Sequence, residues 1–132
     1  MSLSTKSQVG SEVLILVGVL LFGALGLISA TYIKLTEYNF LILSSRASKL
    51  LDNVVKRINA VFFEGDGFTS SLYVESTLLG EEYNISVVNN TIVIEFRGNT
   101  ISKKTAAPLI SGNLSKGTKN WVSNQNGTIY IT

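Results

Sequence analysis

Apolar residues follow three successive patterns along this chain. From Val13 to Ile33 they form a run of roughly 21 positions without a charged residue, long enough as an α-helix to cross about 30 Å of hydrocarbon. From Leu35 to Phe63 there is no Pro or Gly, and apolar residues recur at Ala47, Leu50, Leu51, Val54, Ile58, Val61 and Phe62. That i, i+3, i+4 spacing predicts one face of an amphipathic helix, with Arg46, Lys49, Asp52, Asn53, Lys56 and Arg57 on the other. A single rod from about Gln8 to Phe63 would measure roughly 84 Å, and nothing near Asn39, where the halves meet, supplies a cause for a kink. Glu64-Gly65-Asp66-Gly67 ends it, because two glycines in four residues terminate a helix. Beyond that turn the period changes to two: Ser71–Leu78, Tyr83–Val88 and Thr91–Arg97 read as strands, with Asn89-Asn90 as a type I′ hairpin turn. After Gly98 the alternation weakens into a loop over 108–117, followed by short strands at 120–123 and 128–132. Trp121 is expected to anchor the core or face the rod. The pattern predicts an α+β chain, a long N-terminal helix followed by a small antiparallel β-sheet head, one sheet face covering the amphipathic half of the helix. The divisions are 1–7, 8–63 and 64–132.

Composition narrows what such a chain does. In 132 residues there is no Cys, no His and one Pro, with a net charge of +2; this suits one apolar rod and one small domain. The distal domain has no disulfides to staple it. The dispersed positive charge does not make a nucleic-acid surface. Without His or Cys the usual general base, thiol nucleophile and soft metal ligands are missing, so the chain is read as a non-enzyme without a cofactor. Glu64 and Asp66 lack the further acidic positions of a calcium loop, so no metal is expected there, and Glu81-Glu82 reads as a solvated turn.

The residues ahead of the apolar run are the most specific signal. Lys6 precedes them, and a secretory cleavage site at Ser29-Ala30-Thr31 is poor, so an ordinary signal peptide fits less well than an uncleaved signal anchor or a different leader. Lys6-Ser7-Gln8-Val9-Gly10-Ser11-Glu12-Val13-Leu14-Ile15-Leu16 places Gln8, Glu12 and Leu16 at relative positions one, five and nine. This resembles the class III signal peptides of archaeal type IV pilins, Q-x-S-x-E-x-x-x-L, with Gly10 where Ser is usual and Ser7 where Gly is usual. The resemblance implies a cut between Ser7 and Gln8 by a membrane peptidase on the cytoplasmic side, with the apolar helix retained in the mature chain. It also implies that Glu12 meets the N-terminal amine of a neighbouring subunit; read without the resemblance, Glu12 snorkels into headgroups or complements the helix dipole.

Within the run, Gly18, Gly23, Gly26 and Ala30 are small; Gly26 and Ala30 stand four apart, a spacing that lets helices approach closely in lipid, although glycine is common in membrane helices generally. Four sequons, at Asn84, Asn89, Asn113 and Asn126, all fall in the distal half, as expected of an extracytoplasmic, N-glycosylated domain. The expected function is a pilin, the structural subunit of an adhesive surface filament. It would be inserted in the membrane before assembly with the N-terminus cytoplasmic, then polymerise with its own copies through the N-terminal helices. The resemblance supplies the remaining partners: a prepilin peptidase, an assembly ATPase and a membrane platform. The alternatives are a membrane-anchored extracytoplasmic module that never polymerises, or a minor pilin-like component of a secretion or uptake apparatus.

Overall fold

The computed structural model describes residues 9–132 in full and the backbone of 3–8. One helix, α1 (Leu3–Glu64), is followed by seven strands: β1 (Thr69–Tyr73), β2 (Asn84–Val88), β3 (Thr91–Phe96), β4 (Asn99–Lys104), β5 (Leu109–Ser111), β6 (Lys119–Gln125) and β7 (Thr128–Ile131). The α+β architecture is as the sequence pattern predicts. The chain divides into two compact units, 1–41 and 42–132.

In the first unit the helix buries no apolar side chain from Val9 to Leu41. Leu14, Phe22 and Leu27 are each more than 70 % exposed, and large apolar groups face outward on every side of the helix. Three of its hydroxyls bond locally: Ser29 and Thr31 donate to the carbonyls of Leu25 and Leu27 four residues back, at 2.9 and 2.8 Å, and Thr36 donates to that of Ile33 at 2.7 Å. Such local bonding keeps these hydroxyl protons paired in an apolar surrounding.

The second unit holds the core. Leu43, Ala47, Leu50, Leu51, Val54, Val55, Ile58 and Val61 form one buried stripe of α1, recurring at the spacing of a single helical face. The expected stripe is present, with Leu43 and Val55 added and Phe62 only half-buried. Two sheets, and not the single antiparallel sheet that was expected, close over it. β2-β3-β4 is antiparallel throughout, whereas β1-β6-β7-β5 is mixed, its β5–β7 pair being parallel. Ile85, Ile92, Ile94 and Phe96 from the first sheet and Leu72, Val122, Ile129 and Ile131 from the second join the helix stripe in one cluster.

The strand positions that differ from expectation have local causes. β1 runs Thr69–Tyr73, ending well before Leu78, and the segment after it turns back at Leu79-Gly80, where both residues have positive φ (54° and 83°) and Leu78 bridges Glu81. β4 occupies the region where alternation fades, because as an edge strand it shows five exposed positions out of six and turns only Ile101 inward. β5 lies within the stretch expected to be loop, and only Ile110 of its three residues is buried. It approaches β7 so closely that a Cβ on Gly112 (φ 102°) would lie 2.1 Å from the Ile131 carbonyl oxygen. Trp121 is half-exposed and anchors nothing in the core: β6 turns Asn120, Val122 and Asn124 inward, and strand alternation then sends Trp121 outward. At the β2–β3 turn only Asn89 has a positive φ (56°), whereas the type I′ form requires it at both central residues, a condition met at Arg97-Gly98 and Asn126-Gly127 as well as at Leu79-Gly80.

The helix end is fixed by side chains of the β6–β7 hairpin. Gly65 takes φ 96° just past the last helical residue, the left-handed position that glycine adopts without a Cβ penalty. Asn124, buried, donates from Nδ2 to the carbonyl of Phe62 at 3.1 Å and, at 3.5 Å, to that of Val61, while its Oδ1 accepts from the Gly127 amide at 3.0 Å. Asp66 accepts from the Asn126 amide at 2.7 Å. Farther up the helix, Asn59 accepts from the Ala106 amide at 2.8 Å.

Candidate functional site

The residues singled out from the sequence lie in both units. In the first unit, at about 100° per residue, Glu12, Leu16, Gly23, Gly26 and Ala30 fall within a single helical face. Gly18 lies about a third of a turn from that face. No atom outside the helix's own local backbone lies within 4 Å of where a Cβ would stand on Gly18, Gly23 or Gly26, so the chain itself leaves the space beside them open. The side chains of Ser7 and Gln8, the expected cleavage position, lie outside the described residues; their backbone is helical. The helix is long and apolar enough to cross a membrane.

In the second unit, Asn84, Asn89, Asn113 and Asn126 are all exposed. Asn89 and Asn126 sit at two-residue hairpin turns, Asn113 follows β5 in a loop, and Asn84 opens the edge strand β2 with its side chain outward.

Two surface features were not read from the sequence. The first is an aromatic row on the outer face of the four-stranded sheet: Tyr73, Trp121 and Tyr130 are 59 %, 51 % and 39 % exposed. In register, Trp121 opposes Ser71 while Tyr73 opposes Lys119, and Ser123 opposes Tyr130. Each tyrosine is therefore a diagonal neighbour of Trp121, about 7–8 Å away. The Lys119 ammonium lies 5.9 Å from the indole centroid. The second is charge. Lys103 bonds Asp52 at 2.5 Å, and this hydrogen bond, reinforced by the charges of Lys103 and Lys56, holds the Asp52 carboxyl below its ordinary range. Arg97 pairs with Glu81, which raises the guanidinium pKa further. Lys116 reaches Glu82 at 3.4 Å and the Tyr83 carbonyl at 2.5 Å. Burial, followed by the charges of Glu75 and Tyr73, pushes the Tyr83 hydroxyl up to about 12. Among the described residues no group of three or more acids gathers as a metal site.

Compared with known proteins, the chain matches no family model, no curated protein and no solved structure. What the fold defines by itself is a class: a small α+β unit built on the second half of a helix whose first half is apolar on all sides.

Proposed function

We propose that this chain is a type IV pilin-like subunit of a surface filament, made at the membrane and polymerised through its N-terminal helix. The observation that carries this reading is the exposure of the whole apolar surface from Val9 to Leu41. A surface of that extent needs lipid or other protein around it, and the face holding Glu12, Leu16, Gly23, Gly26 and Ala30 suits a second helix at close range. Glu12, at the entrance of the apolar run, is costly there as an ion unless paired, and the amine at Gln8 of a processed neighbour is the partner we assign to it. Before assembly the same helix would hold the subunit in the membrane with the head outside. Heterologous contacts between helices then propagate without closing. Peptidase, ATPase and platform follow from the leader's resemblance. Glycans are proposed at Asn89, Asn113 and Asn126, whose turn or loop settings leave the amide accessible. Adhesion is assigned to the heads, where the Tyr73, Trp121 and Tyr130 row offers amphipathic contact area.

The test is the N-terminal peptide of this protein in sheared filaments and in membranes, read by mass spectrometry. A chain beginning at Gln8 and abundant in filaments is expected; cyclisation of Gln8 to pyroglutamate would keep the filament reading but remove the amine assigned to Glu12. An intact leader confined to membranes would instead establish an anchored module.

A further inference from the structure

We propose that the heads of neighbouring subunits dock through opposite charges, a cationic recess beside the helix of one copy receiving the acidic corner of the next; this rests on the filament reading above. The cationic recess, about 540 Å³, lies between the outer face of α1 and β1, lined by Asn53, Lys56, Arg57 and Tyr73 among others. Arg46 and Lys49 continue the same exposed helix face. Among the described residues, none of these four cations is in salt-bridge contact with an acid; the one acid between them, Asp52, is bonded by Lys103 and feels Lys56 only through the longer-range charge.

A second recess, about 410 Å³, is lined by Glu82, Asn84, Glu95 and Arg97 among others. Glu75 and Glu81 belong to the same β1–β2 connection. Two acids, Glu82 and Glu95, and one cation, Arg97, line the recess; Arg97 is held by Glu81, and Lys116 by Glu82 with the Tyr83 carbonyl. Glu82 keeps 84 % of its side chain exposed, and Glu95 points outward from β3 opposite Asn84 and Thr100.

The two recesses share no lining residue. A contact that joins one to the other on a second copy is therefore heterologous and repeats along a polymer. An anionic lipid surface would satisfy the cationic recess but gives the acidic one no role, whereas a second copy uses both. Exposed ion pairs contribute little by themselves, but heads tethered to packed helices meet at high effective concentration. Charge then selects the register more than it adds affinity. The contact also requires Asn84, at the rim of the acidic recess, to be bare in assembled subunits.

The absence of native cysteine makes the test direct. The full chain carrying both Lys56→Cys and Glu95→Cys, assembled in native cells and oxidised, is expected to give a disulfide ladder from sheared filaments, with the single variants remaining monomeric. Lys56→Glu/Arg57→Glu and Glu82→Lys/Glu95→Lys should each lower filament yield about tenfold, and their combination should restore it, because opposed like charges repel and the swap re-pairs them. Normal filaments from both reversals without a ladder overturn the docking and leave the filament reading standing. Loss by the helix reversal alone, unrescued by the swap, also overturns it and points to lipid headgroups. A glycan on Asn84 in most filament subunits overturns it as well. A wild-type chain that is never found in filaments removes both proposals together.

Discussion

Asn124 shows how one side chain can decide where a long helix stops. Its amide satisfies helix-end carbonyls and its oxygen holds the Gly127 amide in the adjoining hairpin turn. Asn124→Ala strands these groups in a buried place, and an unmet buried donor or acceptor costs about 1–3 kcal/mol. The expected loss for the variant is on the order of 2–4 kcal/mol, read as a melting temperature roughly 10 °C lower or more. Gln in its place, one methylene too long, should not rescue. Tyr83 gives a residue-scale pH dependence. Its hydroxyl donates to the Glu75 carbonyl, and burial pushes its pKa in the fold up to about 12, above the ordinary tyrosine value of 10.0. A raised acid pKa means that the protonated form is favoured by folding, so the stabilisation is complete below pH 10 and lost as pH rises from 10 toward 12. Tyrosinate absorbance should show one of the five tyrosines titrating late. The melting temperature should fall through that interval, more steeply than in Tyr83→Phe.

At the scale of elements, α1 serves two environments. Every core residue belongs to 42–132, and the buried helix stripe from Leu43 to Val61 is integral to that core. A chain beginning at Ile42 should therefore fold as a monomer with a cooperative thermal transition, while one beginning at Gly65, stripped of the stripe, should show neither cooperative melting nor dispersed amide resonances. The same division explains what could be read in advance. The apolar run and the stripe at Ala47, Leu50, Leu51, Val54, Ile58 and Val61 were legible because a helix writes its burial with a regular period. β2 and β3 were legible for the same reason, having alternating apolar residues and a two-residue turn. β4 was not, because an edge strand with polar outward positions carries almost no hydrophobic signal, nor was β5, too short for a period to register. Trp121 was misplaced because size suggested burial, whereas the parity of its strand is set by Asn120 and Asn124, polar residues that turn inward because their amides are satisfied there, Asn120 by the nearby Ser115 and Thr118 backbone and Asn124 by the Phe62 carbonyl, distant in sequence. The aromatic row and the two charged recesses depend on which strands become neighbours, and periodicity says nothing of that.

For the whole molecule, the proposed assembly makes a distinction that a simple membrane anchor does not. An anchor needs only length and apolarity, so replacing small residues in its helix by Leu leaves it in the membrane and slightly improves helix propensity. A polymerising helix needs close approach on one face. Gly26→Leu/Ala30→Leu fills that face, while Gly18→Leu adds the same side chain about a third of a turn away. Neither glycine has a neighbour within 4 Å of its missing Cβ in the single chain, and Ala30 is exposed, so neither change meets a side chain of the subunit itself. Membrane levels of the precursor should be equal to wild type in both. Filament yield should fall about tenfold or more for Gly26→Leu/Ala30→Leu and much less for Gly18→Leu, counted by electron microscopy of sheared material, since widening a helix–helix contact forfeits packing along the face. Equal yields from the two would show that the small residues serve no packing face, and equal loss would place the contact all around the helix, as expected if every side of the apolar surface is covered by neighbours.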